Sequence, residues 1–290
     1  MGWFTRKKKR VQRKKNIVQD YVEAILFAFV VAMIIRNYTF QNFMIPSSSM
    51  EQTLLIGDYL VALKVANFFT DPERGDIITF RYPSEPIHPQ GNVKRLVGPL
   101  YWDSDKGFLR YYERRNVVKR IIGLPGDEVM LRDGVVYING TPYKHPNEQH
   151  LDPDCKLDIA GNRMDTPPIV WDKRDYPGAD VNFGGYDGKV MGWRDNFGLL
   201  DKETGMLHPI RVPQGAYFVL GDNRDLSLDS RYWGFLSRKY ITGTPAIIFF
   251  SVGEEPANSI EEYIQQRRAE QQGIPPAKRI RWERFFRLPK

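Results

Sequence analysis

The chain has 290 residues, with 42 Lys and Arg against 35 Asp and Glu, four His and one Cys, enough for one large or two modest domains with a sizeable core. Cys155 alone supports neither an intrachain disulfide framework nor a Cys-based zinc knuckle, and His88, His145, His150 and His208 are too scattered for a zinc enzyme. The net charge of +7 divides unevenly: eight basic residues and no acid stand in 1–15, eight with two acids in 267–290, and the body between carries −7, so the basicity lies in two tails and no nucleic-acid partner is implied.

Behind the basic segment 1–16, Ala24 to Ile35 is twelve apolar residues without a break, and the run extends back to Ile17 with Asp20 and Glu23 as interruptions. About 20 residues of helix span a bilayer's hydrocarbon. The preceding positive charge, and the lack of an A-x-A cleavage site, favour an uncleaved signal anchor over 17–37 rather than a core helix or a removed signal peptide. On that reading the N-terminus is cytoplasmic and the chain beyond about residue 38 lies across the membrane.

Short apolar or alternating runs follow at Tyr59 to Val65, Asp76 to Tyr82, Asn116 to Ile122, Glu128 to Ile138, Ala216 to Leu220 and Thr244 to Val252, separated by Gly, Pro, Asp and Asn clusters. They predict a mainly β core over 38–138 and 209–252. Residues 139–208, rich in Pro, Asp, Gly and Trp, predict a loop-rich inserted cap subdomain. In 253–290, Ser259-Ile-Glu-Glu262 fits a capping box and Gly273-Ile-Pro-Pro276 a helix stop. The last fifteen residues mix basic side chains with Trp282, Phe285 and Phe286, which reads as a solvated tail or one resting on anionic lipid.

The chain has no G-x-S-x-G elbow and no serine followed three residues later by lysine. Four other segments stand out: Ile45-Pro-Ser-Ser-Ser-Met-Glu-Gln-Thr-Leu54 with Gly57-Asp58; Arg74-Gly-Asp-Ile-Ile-Thr-Phe80; Val117-Val-Lys-Arg-Ile-Ile-Gly-Leu-Pro-Gly-Asp127; and Gly221-Asp-Asn-Arg-Asp-Leu-Ser-Leu-Asp-Ser-Arg-Tyr-Trp-Gly-Phe235. In this order they resemble the boxes of bacterial signal peptidase I, a membrane-bound Ser-Lys serine endopeptidase. The resemblance covers the anchor and roughly residues 38 to 252.

It implies Ser49 as nucleophile, Lys119 as general base, and an oxyanion hole built from the Ser47 hydroxyl and the Ser49 N–H. Ser227 would orient the lysine amine, with Asp229 and Arg231 as a supporting ion pair and Asp222 in the same stretch. Phe43, Ile45, Pro46, Met50, Leu54 and Val118 would line shallow pockets for the small side chains of an Ala-x-Ala site. The family also implies a signal-peptidase-like β-fold, no metal or cofactor, and a monomer that meets preprotein signal peptides and the lipid bilayer. Its expected place is the bacterial cytoplasmic (inner) membrane, single-pass, with the catalytic domain on the periplasmic side. Ser48 stands where many relatives have glycine and Gln52 where they usually have proline.

The residues suit that chemistry without the name. A serine hydroxyl needs an adjacent base, and lysine serves only when burial disfavours its ammonium. Alternation along a strand puts Val117 and Ile121 on the Lys119 face. Asn92-Val-Lys-Arg-Leu-Val-Gly98 nearly repeats the lysine box, but only the copy with Lys119 continues into Leu-Pro-Gly-Asp, so Lys119 is preferred to Lys94. A self-cleaving Ser-Lys repressor would need a helix-turn-helix where this chain has its apolar run.

Overall fold

The computed structural model describes residues 17–64, 70–83, 92–97, 100–112, 115–150, 169–171, 190–193, 196–201, 204, 206–254, 262, 265–266, 269 and 278–289. The apolar run forms helix α1, Ile17–Tyr38. Its apolar side chains, Tyr21, Ile25, Leu26, Phe27 and Phe29 among them, face outward without protein cover. Among the described residues no helix is long and apolar enough to cross a membrane.

Strands β1 (Phe40–Met44), β2 (Asp58–Leu63) and β3 (Ile77–Arg81) follow. A peripheral three-stranded sheet comes next, built from β4 (Val93–Val97), β5 (Leu100–Asp103) and β6 (Phe108–Tyr111). Then come β7 (Asn116–Gly123), β8 (Glu128–Arg132), β9 (Val135–Ile138) and β10 (Thr141–Tyr143). The run expected as one strand from Glu128 to Ile138 is a hairpin, because Asp133 and Gly134 both take positive φ and reverse the chain. Asn139 and Gly140 do the same between β9 and β10.

The described parts of the insertion are β11 (Ile169–Trp171), β12 (Val190–Trp193), β13 (Asn196–Leu200) and β14 (Leu207–His208). They extend the sheet of β8 to β10 in the order β10-β9-β8-β13-β12-β11, with β14 on β13 and β15 (Ile210–Arg211) on β8. The expected loop-rich cap is thus partly sheet; Cys155 lies outside the described residues. The chain returns through β16 (Ala216–Leu220), a one-turn helix at Ser230–Trp233, β17 (Leu236–Ser237) and the long β18 (Ile241–Gly253).

The first sheet has the order β1-β2-β18-β3-β7-β16-β17. Its centre is apolar on both faces. One cluster joins Ile78, Phe80, Ile121, Val219 and Trp233, and another joins Ile45, Met50, Leu54, Leu60, Val118 and Ile248. Burial on both faces explains why β7 and β16 read as continuous apolar runs.

The C-terminal residues depart from the expected solvated tail. The capping-box segment at Ser259 falls outside the described residues, while Glu262, Gln265, Gln266 and Ala269 are helical. Residues 278–289 fold back as a strap, beginning with strand β19 (Arg279–Ile280), which pairs with β18. The Phe286 N–H donates to the Ile248 carbonyl at 2.7 Å, and the Ile248 N–H to the Arg287 carbonyl at 3.0 Å. Phe285 packs edge-on against Phe250 with ring centres 5.5 Å apart. Arg281 and Arg284 are only 2% and 4% exposed, and Asp58, which is wholly buried, accounts for them. Arg284 Nη2 reaches Asp58 Oδ2 at 2.6 Å and Arg281 Nη2 lies 3.5 Å from Asp58 Oδ1. A charge buried this way is costly to strand, at roughly 3–5 kcal/mol.

Phe218 stacks between Phe197 (4.8 Å) and Phe235 (6.0 Å) where the second sheet meets β16. Replacing it with alanine leaves a cavity, and urea denaturation is expected to show Phe218→Ala about 3–5 kcal/mol less stable.

Candidate active site

The turn between β1 and β2 carries the serines. Ser47 is extended at the start of a 3₁₀ turn, Ser48–Met50, in which Ser49 and Met50 are buried. The Leu54 N–H closes this turn by donating to the Met50 carbonyl at 2.7 Å. Gln52 has φ 73°, which the fixed ring of proline forbids. The departure at position 52 is therefore written into the turn's shape.

Lys119 approaches from the middle of β7, paired with Ile78 of β3. It is 3% exposed, and its Nζ lies 2.5 Å from Ser49 Oγ. Burial pushes its pKa from 10.5 down to about 8, while Asp229 pulls it up, Arg231 pushes it down and Asp222 pulls it up. Ser47 Oγ stands 3.5 Å from Ser49 Oγ. The rival Lys94 is exposed on β4, away from any such environment.

The box after β16 supplies the surroundings. Ser227 was expected to bond the lysine amine; its hydroxyl instead donates to Asp229 Oδ2 at 2.6 Å. A carboxylate is the stronger acceptor for that hydroxyl proton. Arg231 grips the same carboxylate with Nε at 2.8 Å and Nη2 at 2.9 Å, and the Gly221 N–H donates to it as well at 3.0 Å. Burial alone would raise the Asp229 carboxyl, but the Arg231 charge and these hydrogen bonds hold it below the usual carboxylate range.

Several residues that shape the site went unassigned in the sequence. Arg120, beside Lys119, makes a bidentate pair with Asp222 at 2.7 Å on both arms, each side chain 3% exposed. The Asn223 N–H donates to the Ser49 carbonyl at 3.2 Å and its Nδ2 to the Ser48 carbonyl at 3.3 Å. Gly221 is squeezed between the two parts of the site, for a Cβ there would overlap both Ser227 Oγ and the Ser49 carbonyl. The segment entering the insertion braces this loop from outside. The Gln149 N–H donates to the Asp222 carbonyl at 2.8 Å, and Glu148 pairs with Arg224 at 2.9 Å.

A cavity of about 320 Å³ opens beside Ser49 and Lys119. Phe43, Ile45, Pro46, Met50 and Val118 line it as expected, together with Tyr82, Arg115, Asn116, Val117 and Leu228. Leu54 does not: it is wholly buried in the cluster below, where it supports Ile45 and Met50. Among the described residues, β7 is paired along 116–119 only on its β3 side, since β16 joins it at Arg120, Ile121 and Gly123. One strand edge therefore faces the cavity mouth.

A buried serine within hydrogen-bond reach of a desolvated amine is the apparatus of a serine hydrolase. The family model described as signal peptidase, peptidase S26, matches residues 18–250. The signal peptidase I of Bacillus licheniformis is 29% identical over 242 residues, 83% of this chain and 93% of its own. That of Aquifex aeolicus (strain VF5) is 30% identical over 252 residues, 86% of this chain and 88% of its own. A crystal structure of a signal peptidase I from Enterococcus faecalis V583 aligns at 26% identity over 60% of this chain and 97% of its own, with a TM-score of 0.28. The chain belongs to the signal peptidase family S26 and is a serine peptidase.

Two substitutions probe the site. Gly221→Ala must displace Ser227 or the Ser49 turn, and is expected to lower the turnover number by about tenfold or more in peptide-cleavage assays. Lys119→Met removes a charge that burial opposes. Wild-type Lys119 titrates near 8 when folded and 10.5 when unfolded, so its contribution to stability is present above pH 10.5 and is lost as pH falls towards 8. Urea midpoints should show Lys119→Met more stable than wild type at pH 7, by up to about 3 kcal/mol, with the gap closing above pH 10.

Proposed function

We propose that this chain removes signal peptides from preproteins by Ser-Lys chemistry. The observation that carries the reading is the 2.5 Å approach of Lys119 Nζ to Ser49 Oγ inside a site where burial keeps the amine's pKa near 8. With neutral Lys119 accepting its proton, Ser49 Oγ attacks the scissile carbonyl. The amine passes that proton to the leaving nitrogen, and the same lysine then activates the water that hydrolyses the acyl-enzyme. The Ser47 hydroxyl and the Ser49 N–H, which meets no acceptor among the described residues, would face the developing oxyanion, where each donor is worth roughly 3 kcal/mol.

The substrate lies extended along the uncovered edge of β7, adding a strand to it. Its side chains before the cut enter an apolar cavity near the small end of ligand pockets, which supports a preference for Ala-x-Ala. Helix α1, whose exposed side chains from Ala24 to Val30 are all apolar, would anchor the chain with its basic end cytoplasmic and its catalytic core across the bilayer.

The test uses detergent-solubilised protein and a precursor with an Ala-x-Ala site. Cleavage is expected to vanish in Ser49→Ala and Lys119→Ala and to persist in Lys94→Ala. The rate should climb about tenfold per pH unit on the acid side and level off above the lysine pKa of about 8. Cleavage by Lys119→Ala at the wild-type rate, or a plateau reached only near pH 10, would overturn the reading.

A further inference from the structure

The residues that hold the nucleophile's turn come from the far end of the chain. Gln52, three residues after Ser49, has a left-handed backbone that a residue with a side chain adopts at a cost. A turn of that shape depends on contacts from outside it, and Asp222, Arg284 and Asn147 all reach Thr53. Its hydroxyl donates to Asp222 Oδ2 at 2.6 Å, and Asp222 is the partner of Arg120, the neighbour of Lys119. Its carbonyl accepts from Arg284 Nη2 at 3.0 Å. Thr53 is therefore tied on one side to the strand of the base and on the other to the C-terminal strap.

Asp58 completes the loop that follows. Its Oδ2 accepts the Leu55 N–H at 2.9 Å and Arg284 Nη2 at 2.6 Å. Arg281 donates to the Ile56 carbonyl at 2.6 Å and to Ser251 Oγ at 2.8 Å. Two glycines leave the room this needs: a Cβ on Gly57 would overlap the Val252 carbonyl, and one on Gly253 would stand 2.7 Å from the Ile56 carbonyl and 3.0 Å from Arg281 Nη2. Three groups, the Thr53 and Ile56 carbonyls and the Asp58 carboxylate, thus depend on two arginines more than two hundred positions away.

We infer that the strap 278–289 is a positioning element of the peptidase, with Arg284 setting the Ser49 turn against Lys119 through Thr53 and Asp58. Arg284 touches neither substrate nor reacting atoms. A strap that only stabilised the fold would change how many molecules are folded. A positioning strap changes how fast each folded molecule turns over, since a misplacement of about 1 Å forfeits roughly a hundredfold in rate. It leaves KM nearly alone, because no strap residue lines the cavity.

This inference rests on Ser49 as nucleophile, so the assay first shows that wild type cleaves the precursor and Ser49→Ala does not; failure there sinks that reading before the strap is scored. The full-length protein is then compared in detergent with Arg284→Ala, Arg284→Lys and the exposed-strap control Arg279→Ala. The folded fraction is taken from circular dichroism and cooperative urea unfolding. Arg284→Ala is expected to lose about tenfold or more in kcat per folded molecule with KM within about threefold, to keep the wild-type pH profile, and to recover partly with added guanidinium ion. Arg284→Lys, which keeps the charge without the planar fork, should fall between, and Arg279→Ala should match wild type. Should Arg284→Ala fail to fold, Arg284→Lys decides. A kcat per folded molecule within about twofold of wild type in the folded Arg284 variants overturns the proposal, as does a loss that guanidinium leaves untouched and that Arg279→Ala shares.

Discussion

Water excluded from one amine is the condition on which the rest of this molecule depends. Lys119 sits at the centre of a sheet buried on both faces, next to Ser49, and burial is the largest influence on its proton affinity. Apolar neighbours alone would not leave the amine in place, since a lysine in a purely apolar core tends to escape to solvent or distort its strand. Here it shares its strand face with Val117 and Ile121, and its head meets a hydroxyl. The neighbouring charges are already committed to one another: Asp229 to Arg231 and Asp222 to Arg120. They act on the lysine through space, in opposing directions, and leave desolvation in control.

Those pairs share a second property. The carboxylates of Asp58, Asp222 and Asp229 are each 3% exposed or less, and each is met by arginine in a fork-like geometry. Buried ion pairs contribute little net stability compared with apolar replacements, but breaking one is severe. Placed around a catalytic turn, they convert small displacements into large penalties. The arrangement is rigid for that reason, and Gly221 and Gly57 allow backbones to approach closely enough to build it.

The fold's β character and the Ser49–Lys119 pair proposed to react are legible in the sequence for a physical reason. β7 and β16 are apolar runs bounded by glycine because both faces are covered, and the serine and lysine boxes are local, with their signal within ten residues. The hairpin at Asp133-Gly134 does carry a sequence signal, Arg132-Asp-Gly134 between two apolar stretches, which a single run from Glu128 to Ile138 passes over and the paired positive φ makes plain. Leu54 looked like a pocket residue from its place in the serine box, yet its depth depends on Ile248 and Leu60, which lie elsewhere in the chain. Ser227 likewise has a hydroxyl whose direction is decided by Asp229, two residues on, in a way that no spacing rule contains. Hardest of all were Arg281 and Arg284. In a stretch with eight basic residues, the two that are buried look in sequence like Lys278, Arg279 and Arg287, which are exposed, and the aspartate that claims them is more than two hundred positions earlier.

That separation gives the chain a temporal order. Ser49, Thr53 and Asp58 leave the ribosome first, Lys119 follows, and Arg284 comes more than two hundred positions after Asp58. Until Arg281 and Arg284 arrive, the Asp58 carboxylate lacks the guanidinium groups it meets in the fold and cannot be buried without penalty. A peptidase is a hazard to its own unfinished chain and to others passing nearby. In this architecture the loop that carries Ser49 is closed by residues made more than two hundred positions later, so synthesis through Arg284 precedes completion of the site.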